Sequence, residues 1–228
     1  GVNVVLRGLS INGQGGNNGI TMTAGNSLTV ENCVISNLGQ NGIRVNAATN
    51  VNITDTIVRR NGGSGIYLQN GVKATITRAV VSGNVNYFGI ALYGNTPSTS
   101  TLDIADSTLD GNDFGIYAQS DVSTAILKLS VRDSRIVRNS HYGLVAQSTA
   151  GAAASLTASN NMVSNNAYGL AAAGAGAKII STGNTVTGNT GAGFINSNNS
   201  AVFVSAGNNT VYDNGGNTSG TITAVGTL

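Results

Sequence analysis

Asn52-Ile53-Thr54-Asp55-Thr56-Ile57-Val58-Arg59-Arg60-Asn61, running on to Gly65-Ile66-Tyr67, is the stretch on which the fold turns. Its short apolar/polar alternations are too brief for helices, and they are broken by residues that favour turns. The Gly-Ile step then returns down the whole chain. Gly followed by a large apolar residue occurs at Gly19, Gly42, Gly65, Gly89, Gly115, Gly143, Gly169 and Gly193, with spacings of 23, 23, 24, 26, 28, 26 and 24 residues. A second series runs in phase with it: Asn37, Asn61, Asn84, Asn112, Asn139, Asn165, Asn189 and Asn214. A fixed period of this length marks a stacked repeat architecture, in which each unit buries its apolar face only against its neighbours.

Each unit reads as a Gly-Ile strand, a variable turn, a second alternating strand and a short third stretch ending near the asparagine. A leucine-rich repeat of similar period would need repeated leucines and a helical or 3₁₀ segment, and the units contain neither. What remains is an all-β chain, a single-stranded right-handed parallel β-helix of about eight coils, each about 4.8 Å above the last, forming a rod roughly 40 Å long. We read residues 1–228 as one domain, with 1–18 as the first coil or N-terminal edge and 215–228 as a C-terminal closing segment that lies across the final coil.

Period-two alternation assigns the side chains. Ile20, Ile43, Ile66, Ile90, Ile116, Leu144, Leu170 and Phe194 are expected to form one buried stack. Met22, Val45, Leu68, Leu92, Ala118, Ala146 and Ala172 lie beside it, so the core narrows toward the C-terminus. The asparagines are expected to form an internal ladder, since the amide both donates and accepts and Asn tolerates left-handed backbone.

Composition agrees with such a coil. Glycine occurs 32 times and proline once, 9% of residues are charged, and 40% are hydrophobic. That is too apolar for a disordered Gly/Asn tract. The net charge of +2 is scattered, so no block resembles a nucleic-acid arm, and no apolar run approaches the roughly 20 residues of a spanning helix. Neither nucleic-acid binding nor membrane insertion is expected. The single cysteine, Cys33, excludes an internal disulfide and is expected to be a small buried hydrophobe.

The repeat units resemble the right-handed parallel β-helices of the pectin-lyase-like superfamily over residues 2 to 214. That superfamily includes polysaccharide lyases, glycoside hydrolases, epimerases, phage tailspikes and adhesins, so the resemblance implies fold without fixing activity. Its familiar catalytic strings are missing here. There is no Gly-His-Gly, no Arg-x-Lys and no Tyr-Gly-Phe-Asp-Pro-His; the only proline, Pro97, follows Thr96, and the only histidine, His141, precedes Tyr142.

Two outward features survive that search. Asp55, Arg78, Asp106 and Asp133 occupy equivalent positions in four successive coils, with Asp110 and Arg135 nearby. They read either as a surface salt-bridge ladder or as a patch able to hold calcium or keep one carboxyl protonated. Asp106, Asp110, Asp133, Arg135 and His141 are the candidate catalytic residues of a diverged lyase or hydrolase. The second feature is aromatic. Phe88, Phe114, Tyr142 and Tyr168 precede the repeat glycine, whereas Tyr67 and Tyr117 lie two places after it. Stacked rings stabilise a solenoid, and an exposed column of them also binds sugar faces, which makes Tyr67, Phe88, Tyr117 and Tyr142 candidate ligand contacts. A Thr-x-Thr ice-binding column begins at Thr21/Thr23 and Thr54/Thr56 but does not stay in phase.

The expected function is a non-catalytic scaffold or adhesion module, secreted or at the cell surface, that touches polysaccharide through the middle coils at 87–142. The alternative is a polysaccharide lyase or glycoside hydrolase with a diverged site. Calcium is the one cofactor in view, and the solenoid ends are a candidate surface for self-association.

Overall fold

The computed structural model describes residues 1–149, 151–197 and 199–226. Ala150, inside the long turn expected at 147–154, and residues 227–228 of the closing segment lie outside the described residues. No helix is present among the described residues, and none is therefore long and apolar enough to cross a membrane. Every strand pairs in parallel with its equivalent one repeat away, giving three sheets of ten, nine and nine strands. We name them in the order the chain visits them. Sheet A holds the second strand of each repeat (Ile126–Arg132, for instance), sheet B the short third stretch (Arg135–Val137), and sheet C the Gly-Ile strand (Tyr142–Ser148).

The coil makes about nine turns, one more than the Gly-apolar pairs count, because the strands before Gly19 already form rungs of sheets A and B. At the other end, Gly216–Ser219 and Thr223–Val225 continue sheets C and A as further rungs. The closing segment therefore extends the coil and does not cross it.

The expected stacks form in register. Ile66, Ile90, Ile116 and Leu144 lie directly above one another on sheet C, with Leu68, Leu92, Ala118 and Ala146 in the next inward row. All are fully buried in one continuous core. That second row thins to alanine, and Phe194 packs on Phe203 at 4.9 Å to fill the last coils. The Gly-Ile step exists because of close approach. A Cβ at Gly65 would lie 2.7 Å from the Gly89 carbonyl oxygen and 2.5 Å from a Val81 methyl, so only hydrogen fits between coils there.

Two of the three corners share one device. At each, a residue in left-handed conformation is followed by a buried one whose side chain caps the coil before it. Between sheets B and C the left-handed residues include Asn37, Arg60, Arg138 and Asn165, with φ between 54° and 58°. The capping residues that follow make the asparagine ladder. Asn139 illustrates it: its Nδ2 donates to Asn166 Oδ1 at 2.8 Å, and its Oδ1 accepts from the backbone N–H of Asn112 at 3.0 Å and from Asn112 Nδ2 at 3.2 Å. The ladder runs Asn61, Asn84, Asn112, Asn139, Asn166, Asn189, Asn214. Two members of the expected series are displaced by one position. Asn37 and Asn165 take the left-handed place, and Leu38 and Asn166 stand at the ladder positions.

Between sheets A and B the same device recurs with mixed residue types. Asn32, Asp55, Arg78, Asp106, Asp133 and Asn160 are left-handed, with φ between 50° and 54°. The residues after them form a second ladder in which Ser107 Oγ accepts from Ala79 N–H, Ser134 Oγ from Ser107 N–H, and Asn161 Oδ1 from Ser134 N–H. Cys33 sits in this column, buried, with a free thiol. Left-handed backbone costs a non-glycine residue about 1–2 kcal/mol; it persists because the buried bonds beside it fix the corner.

Candidate functional site

The outer face of sheet C does not alternate into solvent as a solenoid face ordinarily would. Along one outward row Arg44, Tyr67, Ala91, Tyr117, Val145, Ala171 and Ile195 stand in register, coil upon coil. From Ala91 onward this row is buried although it lies outside the core, Tyr117 being only 9% exposed. The cover comes from the rows on either side. Tyr93, Gln119 and Gln147 flank it on one side, and Phe88, Phe114, Tyr142 and Tyr168 on the other.

In-register stacking puts equivalent side chains one rung apart, which suits ring-on-ring contact. Phe88 stacks on Tyr117 with centroids 4.5 Å apart and planes at 14°, Tyr67 on Tyr93 at 5.3 Å, Phe114 on Tyr142 at 5.6 Å and Tyr142 on Tyr168 at 4.8 Å. The rings form one strip parallel to the rod axis. At its N-terminal end the strip opens into a groove of about 530 Å³, floored by Arg44, Tyr67 and Tyr93 and walled by Gln40, Asn41 and Tyr87. Among the described residues, no carboxylate and no histidine lines it.

The phenols are held in their neutral, donating form. Burial, reinforced by the Asp121 carboxylate, pushes Tyr117 up to about 12 from an ordinary 10.0. Burial likewise raises Tyr93, with neighbouring phenols adding to the effect, and raises Tyr67 against the pull of Arg44. Tyr117 Oη donates to Gln147 Oε1 at 2.8 Å and also contacts Gln119, which is bonded to Asp121; Thr149 Oγ1 donates to Asp121 at 2.9 Å. The strip thus carries an apolar body with a fixed amide and hydroxyl edge.

The four predicted ligand contacts, Tyr67, Phe88, Tyr117 and Tyr142, all fall on this strip. Tyr93 and Tyr87 complete the groove and escaped the sequence reading. Tyr93 had a readable signal, because it stands four residues after Gly89 and so shares outward parity with Ala91. Tyr87 belongs to an irregular turn and had none.

The five candidate catalytic residues are spread over two corners and sheet B. Asp106 and Asp133 stand one above the other at the corner between sheets A and B, where the strands that precede them are in register. Arg78 pairs in bidentate fashion with Asp55 at 2.7 and 2.8 Å, which holds the Asp55 carboxyl below its usual range. Arg132 reaches Asp133 at 3.7 Å. Asp110, at the far end of its three-residue strand, pairs with Arg138 and not with Arg135. Arg135 points outward beside Thr108. His141 lies at the next corner, bonded through Nδ1 to Asp113 and stacked on Phe114 at 5.3 Å. Asp113, which also accepts from Ser140 Oγ at 2.7 Å, was not among the candidates, because nothing periodic marks its turn. Among the described residues no group of three or more His, Cys, Asp or Glu side chains could hold a metal ion; the calcium reading has at most the Asp106 and Asp133 pair to rest on.

Three in-register parallel sheets wound around one apolar core define a β-solenoid. The chain matches the family described as right handed beta helix region over residues 1–114 and again over 86–189, and it belongs to that family. No curated protein and no solved structure matches the chain.

Proposed function

We propose that the chain is a non-catalytic carbohydrate-binding β-helix module, secreted or displayed at the cell surface, that holds a glycan along the aromatic strip of sheet C. The observation that carries this reading is the groove at Arg44, Tyr67 and Tyr93, continuous with the stacked rings of the coils beyond it. Sugar rings present C–H faces that pack on aromatic planes and hydroxyls that bond amides and phenols. Gln40, Asn41 and the neutral phenols supply those partners at the groove. Hydrolysis of a glycosidic bond ordinarily takes a pair of carboxyl groups facing it, and the lining of the groove has none, which favours holding over hydrolysis.

The test is binding of the whole chain to a panel of soluble neutral and acidic polysaccharides, with reducing ends and unsaturated products read on the same samples. We expect binding without product, and a loss of about tenfold in affinity when Tyr67 and Tyr93 are both replaced by Ala. Unchanged binding in that double variant, or no binding to any member of the panel, would sink the reading. A second reading rests on the Asp113–His141 pair beside Phe114 and Tyr142. A histidine oriented by a carboxylate is a competent general base, so product formation that vanishes in His141→Gln would make the protein a lyase or hydrolase.

A further inference from the structure

The outward column of sheet C that precedes the repeat glycine changes character along the rod. It runs Phe88, Phe114, Tyr142, Tyr168 and then Ala192, so only two successive members carry a phenol. Tyr142 and Tyr168 are direct partners on adjacent strands, with ring centroids 4.8 Å apart and planes at 24°. No two phenols among the described residues stack closer: Tyr67 and Tyr93 stand at 5.3 Å, Tyr93 and Tyr117 at 5.8 Å. The pair also interacts electrostatically, since burial and then the Tyr168 phenol push Tyr142 up.

Tyr168 is fixed on its other face by backbone. A Cβ at Gly191, one rung on, would lie 2.2 Å from Tyr168 Cε1 and 2.4 Å from Cδ1, so the ring rests against bare glycine and is held over Tyr142. The column of rings ends there, because Ala192 takes the next place, and Tyr168 is left 37% exposed. One phenol of the pair is thus open to a reagent from solution, and its partner lies directly behind it.

We propose that Tyr142 and Tyr168 are a site of oxidative cross-linking, at which a peroxidase supplied with hydrogen peroxide joins the two phenols carbon to carbon and staples one coil to the next. Each phenol gives up one electron and its hydroxyl proton, leaving a radical shared between the oxygen and the ring carbons beside it. A bond forms between one such carbon, Cε, of each ring. The hydrogens on those two carbons move to the oxygens as protons, which restores both phenols. The rings together lose two electrons and two protons, and one peroxide molecule takes them up to become two molecules of water.

Two rings held one rung apart meet at a local concentration far above that of two chains in dilute solution. The new bond closes a loop of one whole coil, as a disulfide would in a chain whose single cysteine permits none within it. Exposure alone points elsewhere. Tyr87 and Tyr212 are each 52% exposed, but Tyr87 packs edge-on against Phe88, which has no hydroxyl, and Tyr212 stacks on no ring among the described residues. The inference does not depend on glycan binding.

The whole chain, kept dilute, is treated with a haem peroxidase and limiting hydrogen peroxide, and its digest is read by mass spectrometry beside its dityrosine fluorescence. We expect a monomer lighter by two hydrogens, with the peptides of Tyr142 and Tyr168 joined, that melts about 5 °C above the untreated chain. Tyr168→Phe keeps the ring and its stack but gives neither this product nor the rise in melting. Gly191→Ala displaces the Tyr168 ring and lowers the yield about tenfold, whereas Tyr212→Phe leaves the yield unchanged. Absence of dityrosine, cross-links mainly between chains or at other tyrosines, the parental yield in Tyr168→Phe, or a joined chain that melts no higher would each overturn the inference.

Discussion

Sheets A and C are built on the same rungs, with the same pairing and the same inward rows of Val, Ile, Leu and Ala, yet their outer faces follow opposite rules. On sheet C the outward row is covered: Tyr117, Val145 and Ala171 are buried although they point away from the core. On sheet A the equivalent positions, from Lys73 through Thr101 to Lys128 and Lys178, stay polar and wet. A parallel solenoid thus leaves these two outer faces free to differ in chemistry, because the backbone ladder is satisfied within each sheet whatever the outward side chains are. Identical side-chain parity can yield a second core or a hydrated face. Which one it yields depends on whether neighbouring rows supply large rings to close over it.

The sharpest way to break the comparison is to remove the frame that both faces share. Asn139→Ala orphans the Asn112 backbone N–H and removes bonds to Asn166 and Leu109, so we expect a loss of about 4 kcal/mol in chemical denaturation, with both outer faces lost together as the chain unfolds. A loss below about 1 kcal/mol would show that the coil stands without its ladder.

Next in size is Tyr117→Ala, which tests whether the outer face of sheet C is truly a second core. Deleting a ring packed on Phe88 at 4.5 Å should cost about 2–3 kcal/mol. By contrast, Thr101→Ala at a polar position of sheet A should stay within about 0.5 kcal/mol. Equal costs at the two sites would erase the distinction between the faces.

The phenols offer a pH-dependent version of the same contrast. Tyr117 titrates near 10.0 when unfolded and at about 12 when folded, so the folded chain retains the proton longer. Its contribution to stability is complete below about pH 10 and declines as pH rises toward about 12. Melting followed across that window should fall in the parent and fall less in Tyr117→Phe, which keeps the ring and removes the titration. Identical profiles would place the phenol in water. The smallest effect is expected at Arg135→Ala, which removes an outward side chain of sheet B that has no ion-pair partner among the described residues and should leave melting and glycan binding unchanged.

Most of the coil was legible in advance because its determinants are local and periodic. The Gly-Ile step repeats wherever coils touch through hydrogen alone, as at Gly65, and inward stacks such as Ile66 and Leu68 follow from parity. The ladder was legible only to within a residue. At two corners, Ser36-Asn37-Leu38 and Ser164-Asn165-Asn166, asparagine suits the left-handed place as well as the buried one, and composition does not choose between them. The second ladder was hidden because Thr56, Ser107, Ser134 and Asn161 do the same work with three different side chains.

By itself, then, the amino-acid sequence determined the coil, its inward stacks and which aromatic residues share an outward row, since each follows from spacing and side-chain parity. Only the tertiary structure decided that Tyr93 would stack on Tyr67 in the floor of a groove, that Asp110 would choose Arg138, that His141 would meet Asp113, and that the three lysines would fall in one row. These pairings depend on the exact register between coils of 23 to 28 residues. That register is settled by how each turn absorbs its extra residues, which spacing along the chain does not specify.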